Sequence, residues 1–208
     1  MKRMLDLFCG RGGWTNAFLD RGWEVVGVDL VRHPEYRGEF IEADALEITP
    51  EFARGFDFGC ASSPCEEFSV HGMKMFHKAP KFPDMGLVLF CWTRRMFDTA
   101  GIPYVMENVR AAQDFVGKAA HKCGPFHLWG NAVPPLMPQG ITKGTDFGGS
   151  AVIKGLDRKG ITEYRKQFDE SILSHSKSKE RKAWTAKIAT VPPELAACVA
   201  AYADRITS

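Results

Sequence analysis

Short apolar runs recur along the first half of the chain, and most of them end in a polar residue. Runs of this length, bounded by Gly, Pro or Asp, are typical of buried strands, and the amphipathic segments between them are typical of helices. Strands are predicted over residues 4–8, 24–29, 40–43, 56–60 and 104–109. This alternation predicts an α/β fold with a doubly wound, mostly parallel sheet.

The longest early helix is predicted over residues 82–99. Its apolar positions are expected to pack against the sheet and to carry no chemistry. These positions are Leu87, Val88, Phe90, Cys91 and Phe97.

A glycine-rich turn, Cys9-Gly10-Arg11-Gly12-Gly13, separates the first strand from a helix predicted over residues 14–20. This order favours a nucleotide site, because glycine lets a ligand reach the backbone N–H groups at a helix start. Asp29 ends the second strand about 20 residues after Gly10, the spacing of a carboxylate that binds a ribose. Because the spacing is not G-x-G-x-x-G, a tight turn and a solvated Asp29 are the alternatives.

Three further polar residues follow strand ends. Asp44, after the third strand, could accept a hydrogen bond from an adenine amino group or cap the next turn. Cys65 follows Pro64 on the loop after the fourth strand, and Glu107 ends the fifth. Because open α/β sheets place reacting groups at the carboxyl ends of strands, a thiolate nucleophile and an acid are predicted there. A buried structural thiol is the alternative for Cys65.

The composition is that of a globular protein of one domain. The chain has 208 residues, of which 45% are hydrophobic and 25% charged, and its formal net charge is +2. A nucleic-acid partner would therefore depend on local basic patches. No apolar stretch is long enough for a membrane span, and the first residues do not resemble a signal peptide. The six cysteines lack zinc-site spacing, so no metal is predicted, and free thiols favour the cytoplasm.

Several motifs together resemble the S-adenosylmethionine-dependent cytosine-C5 methyltransferases, and they occur in the order of that family. The resemblance covers residues 4–131 well and 185–205 loosely, and compact forms of this kind resemble those carried by bacteriophages. The motifs are the opening Asp6–Gly13, the Pro-Cys loop Ser63–Ser69, Glu107-Asn108-Val109, the Trp-Gly-Asn stretch Phe126–Asn131, and the helix start Thr190–Leu195.

The resemblance implies a Rossmann-like class I methyltransferase fold, an S-adenosyl-L-methionine cofactor and methylation of cytosine in DNA. It implies that Cys65 attacks C6 of the base while Glu107 binds N3. The cofactor is expected to be surrounded by Phe8, Gly10, Gly12, Trp14, Asp29, Asp44 and Pro64. Contacts to the substrate are expected from Ser69, Asn108, Lys74 and Lys78. The alternatives are the same chemistry on RNA or a free cytosine nucleotide, and a catalytically weak cofactor-binding partner of another methyltransferase.

The chain also departs from the family pattern. Ser63 replaces a proline, and Gly124 and Phe126 stand where the family has paired arginines. Possible cationic replacements are His121, Lys122 and His127. An S-adenosylmethionine-binding catalytic domain is predicted over residues 1–131 and 183–208, and a reduced target-recognition or substrate-contact segment over 132–182. The later half of that segment is rich in Lys and Arg, which can contact phosphates without reading sequence.

Overall fold

The computed structural model describes residues 1–65, 67–68, 84–141 and 190–208. The strands in this part of the chain are β1 (Arg3–Leu7), β2 (Glu24–Asp29), β3 (Glu39–Glu42), β4 (Phe58–Ala61), β5 (Tyr104–Asn108), β6 (His121–Cys123) and β7 (Phe126–Trp129). The α-helices are α1 (Gly13–Leu19), α2 (Pro50–Ala53), α3 (Met85–Ala100), α4 (Gln113–Val116) and α5 (Pro193–Ile206). Short 3-10 turns cover Ala45–Glu47 and Arg110–Ala112.

These strands form one sheet with the order β3-β2-β1-β4-β5-β7-β6. The first five strands in this order are parallel, whereas β7 is antiparallel to both β5 and β6. The chain places β2 and then β3 on one side of β1, and afterwards β4 and then β5 on the other side. The predicted Rossmann-like, doubly wound and mostly parallel sheet is confirmed, and the direction of winding reverses between β1 and β4.

Apolar clusters cover both faces of the sheet. On one face, Phe18 of α1 and Val199 of α5 pack against Met4 and Phe58. On the other face, Phe90 and Phe97 of α3 pack with the alternate strand residues, such as Leu5. A strand covered on both faces must be apolar at consecutive positions, which explains the short continuous runs in the sequence.

The predicted long helix forms, but part of its predicted packing face is wrong. Val88 is 48% exposed and Cys91 is also exposed. The buried positions are Gly86, Phe90, Thr93, Met96, Phe97 and Ala100. Most of these positions are three or four residues apart, so they lie on one face of a helix with 3.6 residues per turn. Thr93 lies on this face and is buried although it is polar, whereas Val88 lies off it and is exposed.

The first compact unit of the chain consists of Met1–Ile141 and Val191–Ser208. Helix α5 begins directly after Pro192, as the motif around residues 190–195 predicts. Near its end, Asp204 accepts hydrogen bonds from Trp23 Nε1 at 2.7 Å and from Arg21. Within the described residues, no helix has the length and apolar character needed to cross a bilayer.

Candidate active site at the carboxyl edge of the sheet

The glycine turn and Cys65 follow the carboxyl ends of β1 and β4, and Glu107 is the penultimate residue of the neighbouring β5. The register pairs Leu7 of β1 with Ala61 of β4, and Ala61 with Met106 of β5. The glycine turn therefore lies beside residues 62–65, called here the Cys65 loop, at the point where the winding reverses, which is where open α/β sheets bind ligands.

The backbone of the glycine turn adopts a left-handed conformation at several positions. Gly10 and Gly12 have φ values of 48° and 84°, and Phe8 has a φ of 57°. Phe8 is the non-glycine residue with positive φ in the described part of the chain. Such a conformation costs a bulky residue about 1–3 kcal/mol and persists at functional sites where the surroundings enforce it. A Cβ at Gly10 would meet no atom within 4 Å, so the turn faces open space there.

Asp29 supports the glycine turn through one of its two carboxylate oxygens. One oxygen accepts a hydrogen bond from Gly10 N at 3.0 Å, and the other accepts one from Leu30 N at 2.8 Å. A carboxylate oxygen has two lone pairs, so these bonds leave acceptor capacity for a ribose. The ribose contact therefore stays a prediction for Asp29.

Asp44 caps the turn that follows β3. Its carboxylate accepts a hydrogen bond from Leu46 N at 2.9 Å, as the capping interpretation predicts. The contact to an adenine amino group stays a prediction.

A buried polar cluster lies beneath the glycine turn. Thr15 Oγ1 donates to Asp6 Oδ2 at 2.6 Å, and the Tyr36 hydroxyl lies 2.9 Å from Thr15 Oγ1. Because the one hydroxyl proton of Thr15 points to Asp6, Tyr36 acts as the donor in the second bond. Asp6 is fully buried, and its Oδ1 has no hydrogen-bond partner among the described residues.

Burial raises the pKa of Asp6 to about 7, with a further contribution from the negative charge of Asp29. The hydrogen bond from Thr15 acts in the opposite direction but is weaker than the desolvation. A carboxyl group that holds its proton up to neutral pH avoids placing an unsatisfied charge in the core.

The Cys65 loop is tied to the end of β5 by Asn108. Asn108 Nδ2 lies 3.0 Å from the carbonyl oxygen of Ser63 and 3.1 Å from its hydroxyl oxygen. Asn108 is 1% exposed and Ser63 is 4% exposed, so these bonds form away from water. The serine that replaces the proline of the family pattern thus provides an extra acceptor for Asn108.

Side chains of successive strand residues point to opposite faces of the sheet. Val105 belongs to the cluster on the α1 and α5 face, and Met106 belongs to the cluster on the α3 face. Glu107 therefore points to the α1 and α5 face, and Asn108 points to the α3 face. Glu107 is 9% exposed, so the surrounding protein buries most of this residue.

The positions of the missing arginines are closed to large cations. A Cβ at Gly124 would overlap the carbonyl oxygen of Ile141, and Phe126 is 1% exposed within the core. The pairing of the strands does not place the predicted cationic replacements directly opposite Glu107. His127 pairs with Asn108 and Lys122 pairs with His127, so both belong to the Asn108 face.

His121 shares the face of Glu107 but lies two strands away. Leu128 stands between them in the same cross-strand row. Two strand spacings separate the backbones of His121 and Glu107 by about 10 Å. The register of the described strands therefore places none of the three predicted cationic replacements directly opposite Glu107.

The predicted site residues are thus partly brought together. Phe8, Gly10, Gly12 and Asp29 line one turn, and Trp14 follows it in the first turn of α1. Pro64 is exposed and Cys65 half-buried, at the start of the neighbouring loop. Ser69, Lys74 and Lys78 lie outside the described residues. The roles of all these residues in binding or catalysis stay predictions.

Sequence reasoning missed Asp6, Tyr36 and Ser62 as parts of this region. Ser62 Oγ accepts a hydrogen bond from Trp14 Nε1 at 2.9 Å. An acid inside an otherwise apolar strand could have indicated a special role for Asp6. Tyr36 lies in a polar loop segment, where no local pattern indicates that its ring is buried.

Comparison with known proteins gives matches among solved structures. No protein-family model matches the chain, and no curated protein matches it. A prophage-encoded protein of E. coli, described as a DNA modification methyltransferase, aligns with 18% identity and a TM-score of 0.43. The alignment covers 56% of this chain and 35% of that protein.

Methyltransferases are among its structural neighbours. A mutant of Spodoptera frugiperda DNMT2 aligns with 21% identity and a TM-score of 0.41, over 56% of this chain and 38% of that one. An NADH-flavin reductase from Streptococcus pneumoniae also aligns, with 12% identity and a TM-score of 0.31, over 50% of this chain and 70% of that one. A shared function does not follow from similarity at this level, and the first two alignments span well under half of the longer proteins.

Proposed function

We propose that this protein transfers a methyl group from S-adenosyl-L-methionine to carbon 5 of cytosine in DNA. The observation that carries the proposal is the pair of hydrogen bonds from Asn108 to Ser63, at 3.0 and 3.1 Å. They connect the residue next to Glu107 with a residue two positions before Cys65. The bonds thereby join the end of β5, which carries the Glu107 carboxyl group, to the segment that carries the Cys65 thiol, beside the glycine turn.

The residues of the glycine turn fit an adenosyl donor. The turn faces open space at Gly10, its backbone is left-handed at Phe8, and Asp29 stands at its edge with acceptor capacity. When bound, the donor supplies an electrophilic methyl group on a sulfonium. Asp29 would hold the ribose, and the glycine turn would let the donor approach the backbone closely.

Carbon 5 of cytosine is a weak nucleophile, and Cys65 and Glu107 together increase its nucleophilicity. The thiolate of Cys65 adds to C6 while Glu107 holds a proton at N3, which makes C5 enamine-like. C5 would then take the methyl group, whose bond to the donor sulfur breaks and leaves a neutral thioether. Loss of the C5 proton to a base and departure of the Cys65 sulfur restore the aromatic ring and regenerate the thiolate.

The target base must leave its stack to reach these groups. A cytosine inside a duplex cannot bring C6 to the thiol, so the base is flipped out or already single-stranded. The predicted recognition segment over residues 132–182 would contact the phosphates with its Lys and Arg side chains. Such a short and basic segment favours low sequence selectivity or a short target site.

Isotope transfer tests the proposal. The protein is incubated with tritiated S-adenosyl-L-methionine and, separately, with duplex DNA, tRNA or dCMP. We expect label in DNA for the wild-type chain and none for Cys65→Ala. Bisulfite sequencing of DNA from cells that express the protein would locate the methylated sites.

The alternatives give other outcomes of the same test. Label in tRNA or dCMP but not in DNA would keep the chemistry and change the substrate. An oligonucleotide that contains 5-fluorocytosine distinguishes a weak binding partner, because only a protein that attacks C6 stays covalently attached. Absence of both label and covalent adduct, in a protein that binds the donor, would refute the proposed reaction.

A further inference from the structure

One hydrogen bond joins the donor side of the candidate site to the nucleophile side. Trp14 Nε1 donates to Ser62 Oγ at 2.9 Å. Trp14 lies in the first turn of α1, two residues after Gly12 of the glycine turn, and Ser62 is the first residue after β4. The bond therefore crosses the point between β1 and β4 where the winding of the sheet reverses.

Ser62 is held by its backbone as well as by its hydroxyl group. Its N–H donates to the carbonyl oxygen of Leu7 at 3.3 Å, which extends the pairing of β1 with β4 by one step. Trp14 is 2% exposed, so movement of Ser62 away from it would leave a buried indole N–H unsatisfied. The penalty for an unsatisfied buried donor opposes such movement.

The two serines before Pro64 are fixed from opposite faces of the sheet. Continuing the alternation of β4 places Ser62 on the face of α1 and Ser63 on the face of α3. Trp14 binds the first, and Asn108 binds the second through two atoms. These bonds therefore restrain the start of the Cys65 loop on both faces of the sheet.

We propose that Trp14 is a positioning residue that sets the location of Cys65 through Ser62. This inference rests on the proposed function and changes the role expected for Trp14, which is that of a cofactor contact. The ring of Trp14 belongs to the core, and its polar atom serves the nucleophile loop. Ser62 is the second member of this pair.

The test compares Trp14→Phe with Ser62→Ala, each of which removes one partner of the bond. Trp23→Phe is the matched control, because Trp23 Nε1 donates to Asp204 Oδ1 at 2.7 Å in a buried position away from the site. Ser62→Thr keeps the hydroxyl group and serves as the conservative rescue. All four variants retain Cys65, Glu107 and the glycine turn.

Two readouts separate positioning from general loosening. The first is kcat for methyl transfer together with the Kd for the donor. The second is the alkylation rate of Cys65 by limiting iodoacetamide, measured by peptide mass spectrometry against the exposed Cys91 as internal reference. The second readout does not depend on methyl transfer.

We expect kcat to fall about 10- to 100-fold in Trp14→Phe and in Ser62→Ala, because misplacement of a reacting group by about 1 Å costs this much. The donor Kd should stay within about twofold, and the Cys65 alkylation rate should change severalfold in both variants. The double variant should lose no more than either single one, since both remove the same bond. Ser62→Thr and Trp23→Phe should behave like the wild-type chain.

Unchanged Cys65 alkylation in Trp14→Phe and Ser62→Ala would overturn the inference, as would an equal change in Trp23→Phe. A wild-type chain that transfers no methyl group would overturn the proposed function instead. In that case the alkylation rates still decide whether Trp14 positions Cys65.

Discussion

The glycine turn and the Cys65 loop are neighbours, but different kinds of contact stabilise them. Residues close in sequence build the glycine turn: Asp29 lies 19 positions from Gly10, and Thr15 lies nine positions from Asp6. The Cys65 loop depends on partners 45 or more positions away, namely Asn108 for Ser63 and Trp14 for Ser62. The first region therefore depends on nearer parts of the chain than the second, although Asp29 also reaches Gly10 only because β2 pairs with β1.

The two regions also differ in how completely their polar groups are satisfied. The Asn108 amide and the Ser63 oxygens form a matched set of donors and acceptors. Asp6, in contrast, keeps one buried carboxyl oxygen without a partner among the described residues. We expect truncation of a side chain to disturb the Cys65 loop most, and a change of pH or volume to disturb the region beneath the glycine turn.

Replacement of Glu107 by Gln should have the largest effect. Gln has nearly the same shape but cannot hold a proton for N3, so kcat for methyl transfer should fall about 10²- to 10⁴-fold. The donor Kd and the melting temperature should change little, because the glycine turn is built separately. Initial rates of tritium transfer and calorimetric titration of the donor measure these quantities. Activity within about tenfold of the wild-type chain would rule out Glu107 as the acid.

Gly27→Ala should disturb the glycine-turn region without touching the Cys65 loop. A Cβ at Gly27 would overlap the Tyr36 hydroxyl and would lie 2.7 Å from Cys9 Sγ. Forcing Tyr36 away from Thr15 should lower the free energy of unfolding by about 1–3 kcal/mol, as overpacking does. Chemical denaturation measures the loss.

The Gly27 experiment has an internal rescue. Tyr36→Leu in the Gly27→Ala background removes both overlapping atoms of Tyr36, the hydroxyl oxygen and the ring carbon Cζ, and should recover part of the lost stability. Gly55→Ala is the control, because the nearest neighbours of its Cβ would lie at 3.3 and 3.5 Å. Equal losses for Gly27→Ala and Gly55→Ala would mean that Tyr36 does not fill the space above Gly27.

Asp6→Asn should change the pH dependence of stability. The folded state keeps the Asp6 proton up to a pKa of about 7, while the unfolded chain releases it near 3.8. Between these values the folded state binds more protons, so the contribution of Asp6 to stability falls as pH rises, by roughly 1.4 kcal/mol per pH unit. Above pH 7 the contribution becomes constant.

The free energy of unfolding of Asp6→Asn, relative to the wild-type chain, should therefore rise from pH 4 to pH 7 and then level off. Denaturation curves at several pH values measure this difference. Asp84→Asn is a matched control, since Asp84 is exposed and makes no side-chain capping bond. A difference between Asp6→Asn and wild type that does not vary with pH would mean that Asp6 is ionised in the core.

The smallest effect is expected at the rim of the glycine turn. Arg11 Nη1 lies 3.2 Å from Glu35 Oε2, and the Glu35 side chain is 67% exposed. Because solvent screens such a pair, Glu35→Gln should lower the free energy of unfolding by about 0.2–1 kcal/mol. The loss should shrink at high salt in denaturation experiments. A larger, salt-independent loss would indicate that Arg11 and Glu35 support the turn directly.

Much of the fold could be predicted from the sequence. The predicted strands over residues 24–29 and 104–109 agree with β2 and β5 to within one residue, because short apolar runs between breakers allow few other structures. The packing face of the long helix was harder to predict. Val88 and Cys91 are apolar yet exposed, because the position of the sheet decides which stripe of α3 is covered.

The candidate site shows the same division. The motifs indicated Cys65, Glu107 and the glycine turn, but they did not indicate the bond from Trp14 to Ser62 or the buried position of Tyr36. Nor could they show that Gly124 has no space for a side chain, since the obstructing carbonyl belongs to Ile141. Each of these facts depends on segments that are distant in sequence.

The sequence by itself determined the alternation of strands and helices, the position of the glycine turn, and the thiol and carboxyl group predicted at neighbouring strand ends. These follow from local backbone preferences and from the chemistry of single side chains. Only the tertiary structure decided that Ser62 and Ser63 are held from opposite faces and that one buried oxygen of Asp6 has no partner among the described residues. The physical reason is that hydrogen bonding and desolvation depend on which distant groups the packed sheet brings within about 3 Å.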